Sequence, residues 1–427
     1  MPKAASNKKI QWAWTMYDWA NSVHSLTIAT ALFPIYWENV TGGKAGIVHF
    51  LGVNFKASSL YAYSLSFAFL FIALLNPLLS GIADKKGNKK SFMRFFVFLG
   101  GMSCFVMYFF DKTTIPLGIA TFVFSMIGYA GSLVFYNAYL PEIAKKEEYD
   151  KLSARGFAMG YIGCVILLLF NLAMTMYPSA FGLADAAQGI RISFVSVGIW
   201  WIGFSFIPFY YLPSTKSRSI KVSVIDGYRE SYRVFKKVKL NKGMMLFLAA
   251  FFFYAMGTQT TMYLAMLFGT EELKIETDKL ILTVLLIQLL GIVGAYFYAH
   301  LASKIGGIKT LITIVFIWIL ICILAYFTTQ EYEFYWIAGL VGFIMGGVQS
   351  LSRSTYSKFL PKEEEHSSYY SFYELTEKIA IVLGTFSYGF IAQITGGMRP
   401  SVLALALYFI VGLFILFRLN KYQNTTP

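Results

Sequence analysis

Long apolar runs separated by polar loops dominate the sequence. A helix needs about 20 mostly apolar residues to cross a bilayer, and twelve runs approach or exceed that length. They occupy approximately residues 11–37, 58–83, 92–110, 115–141, 155–176, 190–212, 244–268, 278–302, 310–328, 334–359, 369–394 and 400–418. The pattern predicts an all-α integral membrane protein with twelve transmembrane helices. An even number of spans places both termini on the same side of the membrane.

The composition and the placement of charge agree with this prediction. The chain is 57% hydrophobic and 14% charged, whereas a soluble domain carries about 25% charged residues. The net charge is +14, but 28 of the 36 Lys and Arg residues lie on the side that holds both termini, and 7 lie on the other. Basic loops mark the cytoplasmic side. We therefore expect cytoplasmic termini in a bacterial inner membrane, and no nucleic-acid partner.

Motifs of enzymes and metal sites do not occur in the sequence. Cys104, Cys164 and Cys322 lie singly inside apolar runs, without the spacing of a disulfide framework or a metal site. The sequence contains no H-E-x-x-H, no G-x-S-x-G and no G-x-x-x-x-G-K-[ST]. We expect no enzymatic activity, no metal and no cofactor, and we expect any transport to be driven by a gradient.

The longest polar segment, residues 213–243, divides the chain into six-span halves at 1–212 and 244–427. Apolar residues recur at helical spacing among its basic residues, namely Ile225, Tyr228, Tyr232 and Phe235. Such a basic amphipathic helix is typical of a segment that lies along the cytoplasmic membrane surface. The alternative is a binding helix for a regulatory partner.

The two halves repeat each other. "ADKKGNKK" (83–90) follows the second span and "ASKIGGIK" (302–309) follows the eighth, at an offset of 219 residues. "YLPEIAKKEE" (139–148) and "FLPKEEEHSS" (359–368) share a Leu-Pro pair at an offset of 220. Parallel six-helix repeats about an axis along the membrane normal are one transporter architecture. The repeat predicts two pseudo-symmetric six-helix bundles.

Five stretches resemble known transporters. "GIADKKGNKK" (81–90) resembles the loop signature of the major facilitator superfamily, and its matching positions are Gly81, Asp84, Gly87, Lys89 and Lys90. The stretches that resemble the vacuole effluxer-like facilitators, also called the unknown major facilitator family, are "YDWANS" (17–22), "FYNAYLPEIA" (135–144), "SARGFAMGYIG" (153–163) and "GGVQSLSRSTYSKFLP" (346–361). The resemblance implies an alternating-access transporter whose spans 1, 4, 7 and 10 line a central cavity. It also implies a link to yeast vacuolar amino-acid export.

Within the signature, Ile82 and Asn88 depart from the usual Leu and basic residue. Asp84 is placed to cap a helix N-terminus, where a carboxylate gains from the helix dipole; we expect that helix to be span eleven, in the outward-facing state. Lys89 and Lys90 we interpret as ordinary basic loop residues. Glycines at small-xxx-small spacing, which predict close helix packing, are Gly156, Gly160, Gly342 and Gly346.

Span one carries a polar stripe. Asp18, Asn21 and Ser25 fall on one helix face, and intramembrane ionisable residues usually mark pathways or pairs. Asp18 is a candidate proton carrier, gate residue or partner of a substrate amine; the alternative is a permanently ionised structural Asp. His24 lies about a third of a turn from the stripe. Its functional interpretation is a titrating group, since an unperturbed His titrates near neutral pH, and the alternative is a structural His.

Span eleven carries Glu374, Glu377 and Lys378 at spacings that share one helix face. Their functional interpretation is gating or proton coupling, and their structural interpretation is an ion pair that holds spans together. Arg353 in span ten is the expected counter-charge of Asp18 or Glu374. At 1.5 Å per residue, Asp18, Glu374, Arg353 and Asn137 fall in the cytoplasmic half of the membrane. That level suits an inner gate made of charge pairs or the floor of the cavity.

Neutral hydrogen-bonding residues complete the candidate substrate contacts, which are Asn21, Ser25, Asn137, Gln259, Thr260 and Gln349. For Thr260 the alternative is a bond to its own helix backbone.

The sequence thus predicts a secondary active transporter for a small organic solute, such as amino acids or related metabolites, working by proton-coupled efflux. The expected partners are the solute, protons and the lipid bilayer, and the expected state is a monomer. The alternatives are an uncoupled uniporter and a non-transporting receptor or scaffold on the same fold.

Overall fold

The chain runs back and forth as long helices. A computed structural model describes residues 7–43, 46–214, 222–361 and 366–425. The helices of the first half are α1 Lys8–His24, a π-helix Ser25–Ala31, α2 Leu32–Thr41, α3 Ala57–Lys86, α4 Lys89–Val106, α5 Ile115–Asn137, α6 Leu140–Ile143, α7 Tyr149–Met176 and α8 Ala186–Tyr211. Those that follow are α9 Val224–Leu240, α10 Lys242–Glu271, α11 Thr277–Ile305, α12 Gly307–Phe327, α13 Glu331–Phe359, α14 His366–Thr395 and α15 Arg399–Thr425. Short 3₁₀ turns occupy Met107–Phe109, Lys146–Glu148 and Pro178–Phe181.

Eleven of the helical segments in the described residues have the length and apolar composition of a membrane span. The first predicted span is not among them as a single helix, because the π-helix interrupts it. α1, the π-helix and α2 nevertheless follow one another from Lys8 to Thr41 without a gap, which is long enough to cross a bilayer. The protein is a multi-pass integral membrane protein with the predicted twelve-helix architecture.

The π-helix has local causes that the apolar pattern did not reveal. Pro34 has no N–H, so it cannot donate to the carbonyl of Thr30 four residues earlier. The Thr30 hydroxyl donates to the Leu26 carbonyl at 2.8 Å, and the Tyr61 hydroxyl donates to the Ala29 carbonyl at 3.1 Å. Such competition for the backbone ladder is typical of π turns, which are frequent at functional sites.

A short hairpin joins α2 to α3 and is an addition to the all-α prediction. Strand β1, Ile47–Phe50, pairs antiparallel with β2, Val53–Lys56. Leu51 and Gly52 form the turn with φ values of 49° and 79°, the left-handed conformation that a type I′ hairpin turn requires at both central residues. Four residues of alternation are too few to separate a strand from a loop in the sequence.

The helices form two pseudo-symmetric six-helix bundles. Across the interface, α3 packs against α14 and α7 packs against α11. These helices are spans 2, 11, 5 and 8, and a shift by six spans turns the first contact into the second. The repeat is visible in the helix ends as well: Gly87 ends α3 and Gly306 ends α11 at an offset of 219, both at positive φ.

The predicted amphipathic helix forms as α9 and packs along α3, with further contacts to α10 and α14. Ser223 caps its N-terminus. Hydrogen bonds from the Ser223 backbone and hydroxyl, together with Lys85, lower the pKa of Asp226 to about 2. The residues that α9 buries are Gly227, Glu230, Ser231, Val234 and Val238. The apolar stripe singled out in the sequence is therefore the exposed face of α9.

Candidate functional site: a charged cavity between the two halves

A polar cavity of about 120 Å³ lies between the two halves. Most of its walls come from α1 with the π-helix, α5, α10 and α13, which are spans 1, 4, 7 and 10, and from α14; α3 and α7 add Phe69 and Phe157. The predicted site residues that line it are Asp18, Asn21, Ser25, Asn137, Gln259, Gln349, Arg353, Glu374, Glu377 and Lys378. Residues more than 300 positions apart in the chain thus meet in one site.

Asp18 and Arg353 form an ion pair across the two halves. Arg353 Nη2 lies 3.0 Å from Asp18 Oδ2, and Nη1 lies 3.3 Å from Oδ1. The Tyr136 hydroxyl donates to Asp18 Oδ2 at 2.7 Å. Both charged residues are buried, at 4% and 3% exposure. Two parallel contacts to one carboxylate fix orientation as well as charge.

The surroundings of Arg353 hold its guanidinium in place. Nε donates to the Ser153 hydroxyl and Nη2 donates to the Ser153 carbonyl, each at 2.9 Å. The group lies 4.6 Å from the ring centre of Trp14 and 4.2 Å from that of Phe157. Aromatic faces at such distances attract a cation. Arg353 is therefore paired, hydrogen-bonded and flanked by rings.

Gly156 makes room for this ion pair. A Cβ at position 156 would come within 2.1 Å of Asp18 Oδ2 and 2.8 Å of Arg353 Nη2. The small-residue spacing in the sequence predicts close helix packing at Gly156. In the structure, the atoms that lie closest to this glycine are those of the Asp18–Arg353 pair.

A second cluster lies on α14. Lys378 Nζ lies 3.1 Å from Glu374 Oε2 and 2.6 Å from Glu377 Oε2. Gln259 donates to Glu377 Oε1 at 2.8 Å, and Asn137 donates to Glu374 Oε1 at 2.9 Å. Lys378 thus serves both carboxylates, while side chains from α5 and α10 bind their other oxygens.

Asn137 links the two clusters. Its amide nitrogen binds Glu374, and its carbonyl oxygen accepts a long contact of 3.5 Å from Arg353 Nη1. Of the two partners that the sequence offered for Arg353, the structure places Asp18 next to it, while Lys378 pairs with both Glu374 and Glu377. The ionisable Asp, Glu, Lys and Arg side chains that line the described cavity are three acids and two bases. With all of them ionised, the cavity carries one surplus negative charge.

His24 and Thr260 do not join this site. The His24 ring is fully buried and lies 5.2 Å from the ring centres of both Tyr129 and Trp201. His24 is six residues from Asp18, which turns it about 240° around the helix and away from the cavity. Thr260 lines a separate apolar cavity of about 70 Å³ inside the second half, because it points about 100° away from Gln259.

A second chamber of about 130 Å³ adjoins the charged cavity and shares Ser22, Ser25, Tyr129 and Gln349 with it. Its remaining walls are mainly apolar, and they include Leu26, Tyr161, Met266, Ile287 and Met345. Charged groups occupy one end of the combined space, and apolar groups occupy the other.

The signature residues lie on the side where the loops are basic. Asp84 Oδ2 accepts a hydrogen bond from the Ser368 N–H at 2.7 Å, so it caps the first turn of α14, the helix expected from the sequence. A Cβ on Gly81 would come within 2.4 Å of the Gly227 carbonyl on α9. Gly87 ends α3 at φ 67°.

The interpretation of Lys89 and Lys90 as ordinary loop residues is wrong. Lys89 is buried, pairs with Glu142 and lies 4.1 Å from the ring centre of Tyr139. Lys90 is buried and donates to the Phe209 carbonyl at 3.1 Å. Both lysines therefore tie helix ends together, which the basic-loop pattern alone did not show.

Several contacts on this side join the halves through residues that the sequence did not single out. Lys358 lies 2.5 Å from Asp150 Oδ2, and the Ser354 hydroxyl donates to Asp150 Oδ1 at 2.6 Å. His366 lies 3.3 Å from Glu142. The sequence held one signal for these contacts, the repeated Leu-Pro pair. Its first copy comes just before Glu142, and its second copy lies between Lys358 and His366.

Comparison with known proteins shows the family. The model for proteins described as "Vacuole effluxer Atg22 like" matches residues 6–426. The chain belongs to this Atg22-like family. An uncharacterized MFS-type transporter, YxiO of Bacillus subtilis, is 30% identical to this Atg22-like chain over 95% of it and 93% of YxiO. Autophagy-related protein 22-1 of Penicillium rubens is 21% identical, over 89% of this chain and 78% of its own.

Solved structures place the Atg22-like chain in the major facilitator fold. The transporter FucP in its outward conformation superposes with a TM-score of 0.70 at 12% identity, covering 96% of this chain and 97% of FucP. The human organic anion transporter MFSD10 gives a TM-score of 0.70 at 13% identity, covering 97% and 100%. The family and the structural neighbours are transporters, not enzymes, and this protein is a membrane transporter of the major facilitator type.

Proposed function

We propose that this protein is a secondary active transporter that exports a small organic solute in exchange for protons, by alternating access. The moving units are residues 1–212 and 244–427, and residues 213–243 connect them. Asp18, Asn137 and Arg353 bind across the interface, so a change between outward and inward access must remake this network.

The surplus negative charge of the cavity carries the proposal. An unpaired ionised carboxylate is costly inside a membrane, by about 2.5–3.5 kcal/mol on insertion scales. Lys378 faces both Glu374 and Glu377 and neutralises one charge. The remaining charge is neutralised by a proton or by a cationic group of the solute. Because proton and solute compete for the same carboxylates, binding of one releases the other.

The solute class follows from the same charges. An ammonium group fits the surplus carboxylate, and Asn21, Gln259 and Gln349 offer neutral hydrogen bonds beside it. The adjoining apolar chamber accommodates a hydrocarbon portion. We propose amino acids or related amine metabolites as the solutes. The family description as an effluxer supports export as the direction.

The proposed setting is a bacterial inner membrane, with both termini in the cytoplasm and the protein acting as a monomer. Basic loops on the side of the termini support this orientation. The Bacillus subtilis relative supports a bacterial membrane.

The test begins with a thermal-shift screen of purified protein against amino acids, amines, sugars and peptides. Each hit is then measured as flux in liposomes, with and without a pH gradient. The native protein should show flux that a pH gradient accelerates, and Glu374→Gln and Glu377→Gln should each lose that acceleration. Asp111→Asn, a change in an exposed loop outside the cavity, is the matched control.

The uncoupled uniporter predicts a different result. Its flux follows the solute gradient alone, so a pH gradient has no effect in the native protein or the variants. A receptor or scaffold predicts binding without flux. Either outcome contradicts proton-coupled export.

A further inference from the structure

Helix α9 lies beside the last turns of α3. The Ser231 hydroxyl donates to the carbonyl of Pro77 on α3, and Lys85 near the end of α3 lies 3.2 Å from Asp226. Pro77 is nine residues before the end of α3 at Lys86, about 13 Å along the helix. Since α3 is a membrane span, a helix beside its last 13 Å lies at the membrane–water interface rather than in free solution.

The outer surface of α9 carries aromatic and basic side chains together. Tyr228, Tyr232 and Phe235 are 57%, 59% and 44% exposed. Exposed basic residues on the same helix, on the side away from α3, are Arg229, Lys236 and Lys239. Lys236 Nζ lies 4.7 Å from the ring centre of Tyr232. Tyrosine prefers the headgroup level of a bilayer, and basic residues there attract anionic lipids.

We propose that α9 is a binding site for anionic phospholipid headgroups, formed by Arg229, Lys236 and Lys239 with Tyr228 and Tyr232 inserted beside them. Charge complementarity identifies the occupant, because the site presents cations at headgroup depth. Arg233 is not included, since it pairs with Glu230 at 2.6 Å.

Bound lipid acts on the contacts between the two halves. α9 lies along α3 and also contacts α14, where Phe235 and Phe372 have ring centres 5.8 Å apart. α3 and α14 are the helices that Asp84 joins through the Ser368 N–H. An anionic lipid that holds α9 against α3 and α14 favours the conformation in which the end of α3 contacts the start of α14.

The binding test uses full-length protein in neutral detergent, titrated with short-chain phosphatidylglycerol, with phosphatidylcholine of the same chain length and with inorganic phosphate. The test variant combines Arg229→Gln, Lys236→Gln and Lys239→Gln. The matched control combines Lys151→Gln, Lys304→Gln and Lys421→Gln, three exposed lysines outside α9. We expect phosphatidylglycerol affinity to fall roughly fivefold per removed cation, or roughly a hundredfold in the test variant, and to change little in the control.

A conformational readout accompanies the titration. Spin labels are placed at Glu147 and Lys309, exposed positions in the first and second halves. In nanodiscs, the distance between them reports the separation of the two halves on the basic-loop side. Phosphatidylglycerol should increase the short-distance population in the native protein and in the control, but not in the test variant. Equal losses in both triple variants, equal binding of phosphatidylcholine, or an equal effect of inorganic phosphate would overturn the proposal. Binding by a cytoplasmic protein that excludes phosphatidylglycerol from α9 would also overturn it.

Discussion

The pair Asp18–Arg353 is the residue-scale feature on which the site depends most. Each member is buried, so removal of one leaves an uncompensated charge, a loss of about 3–5 kcal/mol. We predict that Asp18→Asn and Arg353→Gln each lower the melting temperature, and that the double variant recovers a large part of the loss. A double-mutant cycle in detergent, read by thermal unfolding, measures this coupling.

The control cycle combines Asp18→Asn with Lys304→Gln, since Lys304 is exposed on α11 and outside the cavity. Distant sites give additive effects to within about 0.5 kcal/mol. Additive effects for Asp18 and Arg353 as well would show that the pair contributes no mutual stabilisation.

Gly156 leaves no room for a side chain beside the carboxylate of Asp18. Gly156→Ala should displace the carboxylate of Asp18, because the new Cβ would lie only 2.1 Å from its Oδ2. Transport should fall by up to roughly a hundredfold, the loss that a site group misplaced by about 1 Å can cause. Gly203→Ala is the control. A Cβ at position 203 in α8 would have no atom within 4 Å, and replacing Gly by Ala inside a helix stabilises the helix by up to about 1 kcal/mol. Normal flux in Gly156→Ala would show that transport does not depend on the space that Gly156 leaves for the Asp18 carboxylate.

Charged residues inside the spans were recognisable in the sequence, which limited the partner of Arg353 to Asp18 or Glu374 but did not decide between them. Asp18, Arg353 and Glu374 stand out because charge in a membrane is rare and expensive. Which cation serves which acid depends on how α1, α13 and α14 pack. Tyr136 and Ser153, which complete the hydrogen bonds around the pair, resemble ordinary interior residues until the fold places them.

At the scale of elements, Asp84 connects the end of one helix to the start of another. A carboxylate near a helix N-terminus contributes typically 0.3–1 kcal/mol and up to about 2 in partly buried positions. We predict that Asp84→Asn weakens closure on the basic-loop side and lengthens the distance between labels at Glu147 and Lys309. Asp111→Asn, which removes a carboxylate that accepts hydrogen bonds within an exposed loop, should leave that distance unchanged. Identical distance distributions in Asp84→Asn and the native protein would exclude a role in closure.

The spans were predictable as elements because each must be apolar over about 20 residues. Irregular elements were not. The π-helix depends on Pro34 and Thr30 acting on one backbone segment, and the hairpin at residues 47–56 depends on a two-residue turn. The face by which α9 packs on α3 was not visible in the sequence either. Its close packing on α3 uses Gly227 and Ser231, small residues that leave no apolar signal.

At the scale of the whole molecule, the interface between halves combines rigid packing with a breakable polar network. α3 with α14 and α7 with α11 bring backbones close, while charged and hydroxyl groups bridge the halves at Asp18–Arg353 and Asp150–Lys358. Each of these pairs has two distinct states, paired and separated, because a separated group can bind water or solute in place of its protein partner. Two bundles that keep their own cores and exchange these contacts satisfy the requirement for alternating access.

A cross-link between the halves tests this exchange directly. Ala154 on α7 packs in one buried cluster with Ala295 and Ala299 on α11, and alanine side chains in contact lie near the Cβ separation of a disulfide, about 3.5–4.5 Å. We predict that Ala154→Cys combined with Ala295→Cys or Ala299→Cys, once oxidised, reduces flux to that of protein-free liposomes, and that a reductant restores it.

The control cross-link joins Asn171→Cys to Ser196→Cys, whose native side chains hydrogen-bond at 2.8 Å within the first half. It should leave flux intact, because a link inside one bundle does not oppose movement between bundles. The native cysteines add little background, since Cys104, Cys164 and Cys322 are buried and free. Full flux through the oxidised Ala154 pair would show that the solute crosses without separation of α7 from α11, and alternating access by movement of the two halves would then be wrong.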